Sequence, residues 1–150
     1  MIKVMFICSG NICRSPMAEG LAIAKLARLN ILAQVCSAGT LKIEGESASL
    51  HAVEAMKNIG IDISHHRSQG IRISLLTTCD HIVGMAPEHK KMLHGDAPEL
   101  TEKIVCMWEF GEHSRPLTGI TDPVGQNLDA FIACRNRLNI CLDGWLEALL

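Results

Sequence analysis

The sequence predicts a single α/β domain over residues 1–150: a four-stranded parallel sheet with helices on both faces. Three observations carry that expectation. Residues 2–8, IKVMFIC, form a near-continuous apolar run, as a strand buried on both faces of a parallel sheet requires. Short runs of this kind then alternate with longer stretches of helical spacing, the pattern of right-handed βαβ crossovers. No internal repeat, low-complexity tract or Gly/Ser/Pro-rich linker divides the chain.

Each element follows in order. After strand one, Ser15-Pro16 predicts a helix with Ser15 as N-cap, proline at the first helical position and Glu19 in the first turn. It carries Met17, Leu21, Ala24 and Leu26 toward the core and ends near Asn30. Residues 33–39 are the second strand. Residues 47–60 read as a helix, with Leu50, Val53, Ala55 and Met56 as its apolar positions and Gly60 as its stop. Residues 70–79 predict a short helix despite their β-branched content. A third strand (80–85), a short helix opening at Pro87 (87–94) and a fourth strand (103–108) come next. Residues 109–126 are a loop rich in Gly, Pro and charge, of a length that points to function. From Leu128 the chain closes in a helix, with Phe131, Cys134, Leu138, Cys141, Leu142, Trp145 and Leu149 recurring at helical spacing.

Composition excludes several classes. A chain of 150 residues buries roughly 70% of its unfolded surface. Its 48% hydrophobic and 20% charged content is that of a globular protein rather than a disordered one. A net charge of −2 without a basic block leaves no electrostatic footprint for nucleic acid. The opening apolar run breaks at Ser9-Gly10, too early for a signal peptide, and no stretch approaches the roughly 18 apolar residues of a membrane span. The expectation is a cytoplasmic protein without nucleic-acid or membrane partners, a monomer or weak homodimer. Seven cysteines, at 8, 13, 36, 79, 106, 134 and 141, make an odd set without a C-x-x-C pair. That argues against a disulfide framework or a zinc knuckle, so neither metal nor cofactor is expected. Most fall in apolar runs, as small buried hydrophobes. Only Cys8 and Cys13 stand in a glycine-containing loop.

In doubly wound folds ligands bind beyond the carboxyl ends of the strands, where a strand feeds a helix N-terminus. The stretch CSGNICRSP (8–16) and the loop holding Asp122 both fall at such ends. Cys8 and Arg14 bracket Ser9, Gly10, Asn11, Ile12 and Cys13. A loop of this size can curl its backbone N–H groups inward as an anion nest, and the helix dipole adds positive potential. Gly10 and Asn11 tolerate the left-handed φ that such a curl needs. Arg14 then offers a bidentate fork to a tetrahedral oxyanion, with Cys8 at the bottom. A helix N-terminus beside a cation favours a thiolate, which makes Cys8 the candidate nucleophile toward a phosphate ester. Ser15 caps the helix in the plain reading; in the functional one its hydroxyl also donates to the Cys8 sulfur. An ester oxygen departs poorly without a proton, and Asp122, its backbone stiffened by Pro123, is the candidate acid. Taken alone, though, C-x5-R recurs by chance and Asp-Pro is equally a turn initiator.

FICSGNICRSPMAEG (6–20) resembles the signature of the low-molecular-weight protein tyrosine phosphatase family. CSAGT (36–40) is similar to that family's second strand and loop, DISHHRSQ (62–69) to its histidine-containing turn, and TDPVGQNLDAF (121–131) to its Asp-Pro loop. The resemblance implies a flavodoxin/Rossmann-like fold of the phosphotyrosine phosphatase I type. It also implies a cysteine-dependent phosphomonoesterase, a protein-tyrosine-phosphatase acting on a phosphorylated protein or small aryl phosphate. Cys8 would form a phosphocysteine intermediate, and Arg14 with the amides of Ser9 to Arg14 would hold the phosphoryl oxygens. Asp122 would protonate the leaving group and then assist the attacking water. Asn11 would hold the loop, Ser15 would stabilise the thiolate, and His66 would orient Ser15. Cys13 would be a redox guard, pairing reversibly with Cys8.

The chain departs from that pattern in its cleft walls. It has no tyrosine, and Leu41, Ile43, Val124 and Gly125 stand where phosphotyrosine-specific members stack aromatic rings. Asp-Pro-x-Gly resembles the branch containing protein arginine phosphatases, yet those carry threonine where this chain has Ile12. Ala86 replaces an acidic residue usual after the third strand, which bears on the support of Arg14. Arsenate reductases of this fold need two further relay cysteines that GMAPEHKKML (84–93) lacks. A non-catalytic oxyanion-binding module would have lost Cys8, Arg14 or Asp122, and all three are present.

Overall fold

The side chains of β1 (Ile2–Cys8) divide between two faces, and both are buried, so the run shows no polar alternation. Val4, Phe6 and Cys8 enter one core with α1 (Arg14–Arg28), α2 (Leu50–Lys57) and α5 (Leu128–Leu149). Met5 and Ile7 enter the other with Leu76 of α3 (Ile73–Leu76), Leu93 of α4 (Pro87–Asp96) and Leu100. β1 pairs in parallel with β2 (Ala33–Gly39) on one side, Cys8 opposite Gly39, and with β3 (His81–Gly84) on the other. β4 (Ile104–Cys106) completes a four-stranded parallel sheet in the order β2-β1-β3-β4. The strand order therefore reverses at β1, and the crevice beyond the carboxyl ends of β1 and β3 is where such folds bind ligands. This computed structural model describes residues 1–111 and 119–150; residues 112–118 of the expected long loop lie outside the described residues.

The expected fold class is observed, and the differences are local. α1 begins at Arg14, one residue before the expected cap, with Cys13 at the N-cap position and no side chain capping it. Ser15 is instead inside the first turn and fully buried, and Glu19 lies beyond that turn. Met17, Leu21 and Leu26 are buried as expected, joined by Ala18 and Ala22 rather than Ala24. α2 is shorter than predicted because Ser49 caps it, accepting the Ala52 N–H. Leu50 then falls outside its buried stripe of Ala52, Ala55 and Met56 and stands 87% exposed. Only four residues of 70–79 are helical, as their β-branching warned. Met107–Phe110 turns into a 3-10 helix instead of extending β4.

That turn rests on α5. Gly144 gives the Phe110 carbonyl room, since an added Cβ would collide with that oxygen, and Trp145 next to it meets Phe6 edge-on at 6.3 Å. The contact anchors the segment leading toward the Asp122 loop. Alanine is the better helix former by about 1 kcal/mol, but the clash falls on backbone, which cannot move aside cheaply. Gly144→Ala is therefore expected to destabilise the protein by about 1–3 kcal/mol, read as a lower urea midpoint; a raised midpoint would refute this packing.

Candidate active site

Between β1 and α1, residues 9–13 fold back over the end of the strand because Asn11 takes φ 57°. Three segments hold that turn. The Asn11 Nδ2 donates to Ser15 Oγ at 2.8 Å and to Ser37 Oγ, at the end of β2, at 2.9 Å. Its Oδ1 accepts the Gln69 N–H at 2.9 Å. The backbone carbonyl of Asn11 accepts His66 Nε2–H at 2.7 Å, while His66 Nδ1 lies 3.8 Å from Glu19. The expectation that His66 orients Ser15 is thus corrected: His66 holds the turn, and Asn11 orients Ser15. Gly39 closes the platform from below. The Ser9 carbonyl approaches it so nearly that an added Cβ would sit 2.6 Å away, and the amides of Thr40 and Leu41 bond the Cys8 and Ser9 carbonyls.

Cys8, 2% exposed, receives two donors on its sulfur. The Asn11 N–H lies at 3.3 Å and Ser15 Oγ at 2.8 Å. Because Ser15 Oγ already accepts from Asn11, its own proton is available to the sulfur. Ser15 therefore serves the cysteine rather than the helix end. Cys13 lines the same cleft; burial pushes its thiol up to about 11, partly offset by a hydrogen bond with Ser49.

Arg14 is 3% exposed and spans the two loops. Its Nη1 donates to the Ile120 carbonyl at 3.0 Å, and its Nη2 reaches Ser9 Oγ at 3.3 Å and Asp122 Oδ2 at 3.4 Å. Its Nε–H is buried without an acceptor among the described residues. The segment carrying the Ile120 carbonyl is seated on Ala86 and Met85. Gly119 packs so close to Ala86 that an added Cβ would lie 2.6 Å from the Ala86 Cα, and the Ile120 N–H bonds the Met85 carbonyl. That contact and that bond set the Ile120 carbonyl where Arg14 Nη1 reaches it. Asp122 is 38% exposed at the rim, its other oxygen accepting the Val124 N–H at 3.1 Å. Asn127 caps α5 behind it.

These groups converge on a cleft of about 180 Å³ floored by Cys8 and Arg14 and walled by Ile12, Leu41, Ile43 and Val124. Gly125, the fourth residue expected in the wall, is not among the lining. A larger hollow behind the Asp-Pro turn holds Cys134, but burial pushes that thiol up to about 12. Among the described residues no cluster of His, Cys, Asp or Glu is placed to hold a metal ion, and no helix is long and apolar enough to cross a membrane.

The family model described as low molecular weight phosphotyrosine protein phosphatase matches residues 3–150. The chain belongs to this family. A protein-arginine-phosphatase of Geobacillus stearothermophilus is 33% identical over 98% of this chain and 95% of its own. A probable low molecular weight protein-tyrosine-phosphatase, EpsP, of Ralstonia nicotianae is 33% identical over 99% and 97%. The structure of a low molecular weight protein tyrosine phosphatase from T. tengcongensis superposes at TM-score 0.91, with 37% identity and 99% of each chain covered.

Sequence reasoning missed Ser37, Gly39 and Gln69, although they lie in or beside the quoted motifs. It also missed His89 and the Ile120 carbonyl, whose partners Ser9 and Arg14 are 80 and 106 residues away. His89 is 1% exposed, and burial, reinforced by the Arg14 guanidinium against weaker pulls from Glu88 and Asp122, lowers it from 6.5 to about 4.

Two outcomes follow from this geometry. Asn11→Ala would orphan Ser15, Ser37 and the Gln69 amide and leave an alanine at positive φ, lowering stability by about 3 kcal/mol in chemical denaturation. Between pH 6.5 and 4 the unfolded chain binds the His89 proton that the folded chain refuses. Stability is thus intact above pH 6.5 and falls as pH drops toward 4. His89→Asn removes this contribution and is expected to shrink the difference between melting temperatures at about pH 7 and about pH 5.

Proposed function

We propose that the chain hydrolyses aryl phosphate monoesters, with phosphotyrosine in a protein as the preferred substrate, through a phosphocysteine intermediate. The observation that carries this reading is the Arg14 Nε–H, buried and without an acceptor among the described residues, beside a cysteine sulfur that already receives two donors. A phosphoryl oxygen is the acceptor such a donor needs. The Cys8 thiolate attacks phosphorus as the ester P–O bond breaks, and Asp122 gives its proton to the departing oxygen. Arg14 and the amides of the 9–14 turn carry the charge on the equatorial oxygens. Water then attacks the phosphocysteine, yielding its proton to Asp122, and the P–S bond breaks to release phosphate. The Ser15 proton stabilises the returning thiolate. Cys13 is the redox guard of this reading, closing a disulfide with Cys8 when a peroxide oxidises the site.

Substrate preference rests on the walls. Ile12, Leu41, Ile43 and Val124 offer apolar surface to a flat ring but accept no hydrogen bond. Phosphoarginine brings guanidinium N–H groups that such walls leave unpaired. The arginine-phosphatase alternative is favoured by the Asp-Pro-x-Gly stretch and by relatives of that name.

With an aryl phosphate as substrate, Cys8→Ser is expected to abolish turnover and Asp122→Asn to reduce kcat at least about 100-fold. Undiminished hydrolysis by Cys8→Ser would overturn the mechanism. Phosphotyrosine peptide is expected to be cleaved in preference to phosphoarginine peptide, and Ile12→Thr to narrow that preference; the reverse order in the wild type would assign the chain to arginine.

A further inference from the structure

We propose that the Ser9 hydroxyl is a further hydrogen-bond donor to the bound phosphoryl group, and that His89 is the positioning residue that turns its proton into the cleft. This rests on the phosphatase reading of the same site. Ser9 Oγ meets two groups: Arg14 Nη2 at 3.3 Å and His89 Nε2 at 3.0 Å. Arginine can only donate. What the histidine does is decided at its other nitrogen, which accepts the Ala86 N–H at 3.0 Å. His89 occupies the third position of α4, its ring satisfying the backbone amide of the residue that precedes the helix. Nδ1 is therefore unprotonated, and the one proton of the neutral ring sits on Nε2 and points at Ser9. Burial and Arg14 keep the ring neutral across the physiological range.

A serine hydroxyl has two acceptor lone pairs and one proton. With both lone pairs facing N–H donors, the proton has to be spent elsewhere. Among the described residues Ser9 Oγ has no other partner. The side chain lines the cleft with Cys8 and Arg14, so the remaining direction leads to the oxyanion. Serine alone could rotate its proton toward any neighbour. The pairing with His89, reaching 80 residues along the chain, removes that freedom and prepays the orientation entropy. A bound phosphoryl group thus gains one neutral, side-chain donor beyond the backbone cradle and Arg14.

The test is titration of the full chain with inorganic phosphate, which reads binding without requiring turnover. Ser9→Ala is expected to weaken phosphate binding about tenfold, the scale of one hydrogen bond to a charged acceptor, and Ser9→Thr to restore it. His89→Phe is expected to weaken binding in the wild-type background and to add nothing in the Ser9→Ala background, because both remove the same donor. Nitrogen NMR of the His89 ring should show the Nε2–H tautomer, a readout that stands if His89→Phe does not fold. Unchanged phosphate affinity in Ser9→Ala, fully additive losses, or an Nδ1–H tautomer would each overturn the proposal. Failure of the parent reading looks different: the wild type would bind phosphate, with Ser9 contributing, yet hydrolyse no ester.

Discussion

With φ at 57°, Asn11 reverses the chain directly after β1, and its side-chain amide ties that reversal to α1, to the end of β2 and to the segment around Gln69. An L-residue takes this conformation at a penalty, and the amide offsets it by bonding the buried Ser15 and Ser37 hydroxyls and the half-buried Gln69 N–H. The orientation of the Ser15 proton, the placement of the Asn11 N–H on the Cys8 sulfur and the inward curl of residues 9–13 all follow from that one turn. His66 and Gly39 secure it from opposite sides. Loop geometry that elsewhere would be soft is here held at the carboxyl end of an interior strand, as the proposed nucleophilic role of Cys8 requires.

Burying Arg14 is the complementary constraint. A guanidinium taken out of water needs partners for its donors, and the described residues supply the Ile120 carbonyl, Ser9 and Asp122 but no acceptor for Nε–H. The cation thereby pins the Asp122 loop to the cradle, and in the proposed reading its open donor serves the oxyanion. Ala86 leaves room for Gly119 to pack against it, and the next carbonyl, that of Ile120, accepts from Arg14. The same region holds His89, which meets Ser9.

Much of the protein was legible from local pattern. The apolar run of β1, the helical spacing of α5 and the turn between Cys8 and Arg14 are short-range signals that the structure has, although Asn11 alone, and not Gly10, takes the positive φ. Ser15 shows the limit of such reading. Ser-Pro is a sound helix-start signal, yet the hydroxyl faces Cys8 because the helix begins two residues earlier than expected and Asn11 turns the chain under it. Leu50 shows it again: a correct helix with a shorter, differently rotated stripe leaves a leucine in water.

The sequence alone determined the fold class and singled out Cys8, Arg14 and Asp122 as candidates at the carboxyl ends of the strands, because these depend on residue type and local periodicity. Only the tertiary structure decided which oxygen holds Arg14, that His66 serves Asn11 instead of Ser15, and that His89 reaches Ser9. Those bonds join residues tens of positions apart, and their existence depends on side-chain packing to within an ångström. A pattern of residue types has no such resolution; the close approach of Gly39 to Ser9 and of Gly119 to Ala86 does.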